Sequence, residues 1–213
     1  MSTEGNRPAP AKGKIGFGLG CLAVIVIGIV ILGAWAAGSY NSLVKLDQQV
    51  RQSWAQVENV YQRRADLIPN LVETVKGAAE FERETFTAVA EARAKAGQIR
   101  VDQNMLSNPE AFAQFQQAQD QLGSALSRLL VTVERYPELK ATQNFRDLQV
   151  QLEQTENRIT VERQRFNESA QAFNTKRMSF PMVFVAPLFG SRFAEKVYFK
   201  AQPGAETAPP VKF

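Results

Sequence analysis

The chain has 213 residues, 45% of them hydrophobic, with 25 basic and 21 acidic side chains, one cysteine and no histidine. Missing histidine removes the commonest general base and metal ligand, and the lone Cys21 excludes an intrachain disulfide framework. Arg7, Lys12 and Lys14 against Glu4 carry half of the formal charge of +4; the 22 basic and 20 acidic residues left nearly balance, which argues against nucleic acid as a partner.

Residues 1–14 read as a short basic tail. From Ile15 to Ala37 the run IGFGLGCLAVIVIGIVILGAWAA carries no charge. About 20 apolar residues span a bilayer core, so residues 15–37 are predicted to form a transmembrane signal anchor. A cleaved signal peptide has a shorter apolar core, about 7 to 15 residues, although Ala34, Ala36 and Ala37 offer a weak small-residue cleavage pattern. A lipoprotein site at Cys21 fits poorly, because the apolar run follows the cysteine. Gly16 and Gly20 form a GxxxG, a weak dimerisation signal by itself. Trp35 and Tyr40 stand where aromatic side chains mark the membrane interface. The denser basic charge of the tail favours a cytoplasmic N-terminus and a domain outside the cytoplasm, against Lys45 and Arg51 beyond the far end.

Residues 40–178 carry helical periodicity. Leu43, Leu46, Val50, Trp54, Val57, Tyr61, Ala65, Ile68, Val72, Val75 and Ala79 step by three or four, and the phase continues across Pro69. An interior proline costs about 3 kcal/mol or more, yet an unbroken phase favours one long helix bent there, supported by burial of Leu67, Ile68, Leu71 and Val72. The alternative is a turn at Asp66 that caps a new helix with Pro69 in its first turn. Gly77 and the acidic EFERE suggest a break, then a helix through Phe86, Val89, Ala92 and Ala96 that Gly97 ends. QIRVDQNMLSNP, residues 98–109, loses periodicity and reads as a loop. The stripe Phe112, Phe115, Gln119, Leu122, Leu126, Leu129, Val133, Tyr136 predicts a helix closed by Pro137, and Phe145 through Phe173 predicts a last one stopping before Pro181.

The fold class that follows is all-α: a single N-terminal transmembrane helix, then an antiparallel bundle of about four long helices. Residues 179–213 differ. FPMVFVAPLFG, Phe180 to Gly190, is apolar, broken by prolines and too short to span a bilayer. It either packs over the open end of the bundle or touches the membrane or a partner. The closing AQPGAETAPPVKF reads as an extended tail.

Bundles can host carboxylate metal sites built on Glu-x-x-His. Without histidine, Glu80, Glu84, Glu91, Glu153 and Glu156 read as solvated faces and ion pairs. No catalytic residue, metal site or cofactor is expected. Arg63 and Arg64, with Asp66 and Asn70 on the next turns, are candidate partner-binding residues, as are Phe180, Phe184 and Phe189.

Four blocks, taken in order, resemble the LemA family: YNSLVKLDQQVRQSWAQVENVYQRRADLIPNLVETVKG, ERETFTAVAEARAKA, LGSALSRLLVTVERYPELKATQNFRDLQVQLEQTENRI and FNESAQAFNTKRMSFPMVFVAPLFG. The resemblance covers about residues 40 to 213. Phe166 and Phe173 depart from it, standing where the family often has tyrosine before asparagine. What the resemblance implies is a bacterial envelope protein with one span and a helical bundle, without a catalytic activity to carry over. Family members are linked to membrane-associated assemblies, one of them in magnetosome membranes. The expected partners are the lipid bilayer, further copies of the chain and another membrane protein. The expected location is the inner membrane.

Overall fold

The computed structural model describes residues 14–76, 83–99, 102 and 104–201, and these divide between two compact units, Met1–Val44 and Lys45–Phe213. Regular structure among the described residues is helical, as the periodicity predicts. Helix α1 (Lys14–Lys76) starts in the first unit and continues into the second.

In the first unit, α1 is apolar on every side. Leu22, Val24, Ile25, Ile27 and Ile29 to Leu32 are all exposed, so no face of this stretch is reserved for a protein core. Among the described residues this is the one helix long and apolar enough to cross a membrane. Trp35 is exposed and Tyr40 half-buried. Gly28 and Gly33 have open space where a Cβ would stand.

The second unit is a four-helix bundle built from the C-terminal part of α1, α2 (Arg83–Gln98), α3 (Pro109–Val133) and α5 (Gln143–Met178). Contacts between numbered residues give its topology. Trp54, Tyr61 and Arg64 on α1 meet Phe112, Phe115 and Gln119 on α3 in the same order, so these two helices run parallel. The same three meet Phe166, Arg163 and Glu156 on α5 in reverse order, so α5 runs against both. Helix α2 has returned to the level of Ala65 by Arg93, and the result is an up-down-up-down bundle.

Pro69 lies inside α1, and the helix continues through it. Ile68, Leu71 and Val75 on the adjoining turns are 2%, 2% and 0% exposed. Burying each contributes about 1.5–3 kcal/mol, enough to exceed the cost of the proline. The expected break at Gly77 to Glu82 lies outside the described residues. Gly97 does not end α2, which runs on to Gln98.

Asn-Pro at 108–109 is a helix start. The Asn108 side chain accepts hydrogen bonds from the backbone N–H groups of Glu110 (3.1 Å) and Ala111 (3.2 Å), and Pro109 occupies the first turn, where no N–H is needed. Before it, Met105 and Leu106 form a buried 3-10 turn. Pro137 likewise opens a short helix, α4 (Pro137–Lys140), after α3 has already ended at Val133. Leu139 on α4 and Phe145 on α5 close that end of a core containing Ile68, Leu71, Val75, Val89, Leu122, Leu126, Leu129 and Val133.

Beyond α5 come α6 (Met182–Val185) and a 3-10 stretch, Ala186–Phe193, interrupted at Gly190, whose φ of 63° and ψ of −145° belong to a region that essentially only glycine enters. Residues 194–201 form no helix or strand, and Ala194 opens them with extended backbone (φ −61°, ψ 152°).

Candidate functional site

Two groups of side chains carry the polar chemistry of the second unit, and a third group is apolar. The first is a charged layer inside the bundle. Arg64, 2% exposed, reaches from α1 to Glu156 on α5 (3.1 Å) and to the Gln119 side chain and carbonyl on α3. One turn away, Arg163 on α5 donates through Nε to the Tyr61 hydroxyl (2.6 Å) and pairs with Asp120 on α3 (3.2 Å). The Arg64 and Arg163 guanidinium carbons also lie 5.0 and 5.7 Å from the Tyr61 ring centre. Burial pushes the Tyr61 hydroxyl above its usual pKa, against the pull of the two arginines, so it stays a neutral phenol. For Arg163, burial works against the charge, but Tyr61 and Asp120 outweigh it and its pKa is raised. The layer therefore joins α1, α3 and α5.

The second group holds the extended segment. Asn174 donates to the Lys196 carbonyl (2.8 Å) and accepts from its N–H (2.8 Å). Asn167 does the same with Phe199 (3.0 and 2.8 Å), and Gln116 with Lys200 (2.8 and 3.2 Å). Each amide gives one N–H and its oxygen to the same residue, so it completes that peptide group as a neighbouring strand would, and Asn174 also donates to the Tyr198 hydroxyl at 2.8 Å. The spacing matches: seven helical residues rise about 10.5 Å and three extended ones about 10 Å. Held this way, Phe199 stacks into the cluster of Trp54, Phe112 and Phe166, and the Val197 N–H reaches the Leu106 carbonyl. Lys196 is 6% exposed and pairs at 2.9 Å with Asp47, which also accepts from Arg51 at 2.8 Å.

The third group is the surface end of the chain. The Phe180 to Gly190 segment divides between two surroundings. Met182 and Ala186 are buried, whereas Phe180 is 84%, Phe184 71% and Phe189 43% exposed.

The sequence-predicted residues fall into separate places. Arg63, Asp66 and Asn70 share one exposed stripe of α1, with Asp66 accepting from Gln62. Arg64 requires correction: it points inward, 2% exposed, and reaches the partly exposed carboxylate of Glu156 from within, so it is not a surface contact. Asn167, Asn174 and Gln116 escape a periodicity reading because each looks like an ordinary polar helix residue. The one available signal is the repeated Phe-Asn at 166–167 and 173–174, two helical turns apart. Among the described residues no group of three or more Cys, Asp and Glu side chains is placed to hold a metal ion.

Similar proteins align with most of the chain. Magnetosome protein MamQ of Magnetospirillum gryphiswaldense is 27% identical over 202 residues, covering 87% of this chain and 74% of its own. Magnetosome protein MamQ 2 of Paramagnetospirillum magneticum is 24% identical over the same shares. Protein LemA of Metamycoplasma hominis is 23% identical, over 84% of this chain and 81% of its own. The family model described as LemA family matches residues 53–213, which takes in the Pro69 turn, the charged layer, the amide pairs and the extended segment alike. On that match, the chain belongs to the LemA family.

Proposed function

We propose that this protein is a non-catalytic structural component of a membrane-associated assembly, anchored by α1 and built from copies of itself. The observation that carries it is the inward pairing of charge. Arg64 with Glu156, Arg163 with Asp120 and Lys196 with Asp47 all close within the bundle, so these ions brace helices. Relatives named as magnetosome proteins favour assembly over catalysis. The face offered for association is the groove of about 980 Å³ beside α2 and α3, lined by small and amide side chains including Ala88, Ala92, Ala113, Gln117 and Gln121. The anchor sits in the inner membrane, with Arg7, Lys12 and Lys14 holding the N-terminus in the cytoplasm and the bundle outside it.

A second reading makes the bundle an adaptor that presents the exposed Arg63, Asp66 and Asn70 stripe to another membrane protein. Particle mass separates the two. The full chain in a mild detergent forms large uniform particles if it builds an assembly, and a chain starting at Tyr40 forms smaller ones. A monomer or small dimer in both overturns the structural reading and favours the adaptor.

A further inference from the structure

The exposed apolar side chains of residues 178–189 are presented by a fixed scaffold. Phe180, Phe184 and Leu188 are 84%, 71% and 81% exposed, and Met178 is 51% exposed. Between them Met182 and Ala186 are buried at 2% and 1%. Phe193 packs on Phe173 at 6.4 Å, and its carbonyl accepts from Arg177 Nε at 2.7 Å. The segment is therefore tied down at both ends and offers one apolar face to its surroundings. A monomeric soluble domain seldom holds so many large apolar side chains in water on one short segment.

We propose that Met178, Phe180, Phe184 and Leu188 insert into the interfacial region of a lipid bilayer, giving the bundle a second membrane contact besides α1. This rests on the reading of α1 as a membrane anchor. Two observations favour lipid over another copy of the chain. No acidic residue occurs between Ser169 and Ala194, while Lys176, Arg177 and Arg192 flank the apolar side chains. An anionic headgroup layer suits that charge, whereas a two-fold contact would set like charges against each other. Reach also suffices. The Lys196–Asp47 pair fixes the segment's C-terminal side to the first turn of the second unit. Asp47 follows Ala37, where the run of apolar residues ends, by only ten residues of helix α1.

The test uses the full chain in vesicles of phosphatidylcholine and phosphatidylglycerol, with and without lipids brominated near the headgroup. The difference in emission between the unaltered chain and Trp35→Phe, with the buried Trp54 common to both, isolates Trp35 and reports whether the anchor is in the bilayer. Phe184→Trp and, separately, Phe180→Trp are then made in a Trp35→Phe background, beside Val131→Trp, which replaces a 62% exposed residue of α3. Brominated lipid is expected to quench most of the emission added at 184 and 180 and little of that added at 131. Emission at 184 and 180 that ignores bromine while Trp35 is quenched overturns the second contact and leaves the anchor standing. Blue-shifted, unquenched emission there also overturns it, because another protein surface then covers the site. An unquenched Trp35 removes the anchor and this proposal together.

Discussion

Arg93 donates from Nε to the carbonyl of Ala65 at 3.1 Å, and Ala65 is the residue whose helical partner would be the missing N–H of Pro69. A side chain from α2 thus serves the carbonyl that the proline leaves without a donor. The same contact joins the two helices one turn before the proline.

If that substitution matters, Arg93→Ala lowers stability by about 1 kcal/mol in the natural chain. In a Pro69→Ala background, residue 69 supplies its own N–H, and the same change costs close to nothing. Urea unfolding of all four chains measures the coupling. An equal loss in both backgrounds would mean that Arg93 acts through something other than the freed carbonyl.

The Arg64–Glu156 pair is lopsided, with side-chain exposures of 3% and 43%. Removing the carboxylate leaves a buried guanidinium under-compensated, whereas removing the arginine frees a carboxylate that water can reach. Glu156→Gln is therefore expected to cost about 2–3 kcal/mol and Arg64→Met about 1 kcal/mol or less. Denaturation midpoints at constant slope give the comparison, and the reverse order would contradict it.

Amide hydrogen exchange reads the clamps one at a time. Asn167→Ala should unprotect the Phe199 amide by roughly tenfold, in line with loss of about 1 kcal/mol, and leave the Lys196 amide slow. Asn174→Ala, at a position 1% exposed, should release Lys196 and lower global stability as well. Uniform loosening of both amides by either change would show that the segment behaves as a single latch.

Burial pushes the Glu58 carboxyl above its ordinary pKa. The folded chain therefore holds that proton more tightly than the unfolded one. Its contribution is complete below the ordinary carboxylate value and is lost as pH rises through the raised one. Glu58→Gln should flatten this part of the profile, with the gap over the natural chain widening as pH rises through and above the ordinary carboxylate range. Thermal melts across that range would refute the assignment if the two profiles stay parallel.

Much of the bundle is readable from local pattern because local pattern encodes it. The Phe112 to Val133 stripe turns inward as its phase requires, and the phase carried across Pro69 marks a helix that does continue. Asn108 and Pro137 are less legible, since a turn and a helix start use the same residues, and only the neighbouring N–H groups decide between them. Arg64 misleads beside Arg63 because what separates them is one step of helical rotation and a carboxylate 92 positions away. Asn167, Asn174 and Gln116 are least legible of all, since their partners are backbone groups elsewhere in the chain and carry no side-chain signature.

The ion pair between Lys196 and Asp47 also sets an order of events during synthesis. Asp47 leaves the ribosome long before Lys196 exists, and the apolar run leaves earlier still. Helices α1 to α5 can begin to gather as they emerge, but the aromatic cluster lacks Phe199, and Asp47 lacks its lysine, until residues 196 to 199 have been made. The bundle accordingly seals only after the long apolar stretch of α1 has left the ribosome.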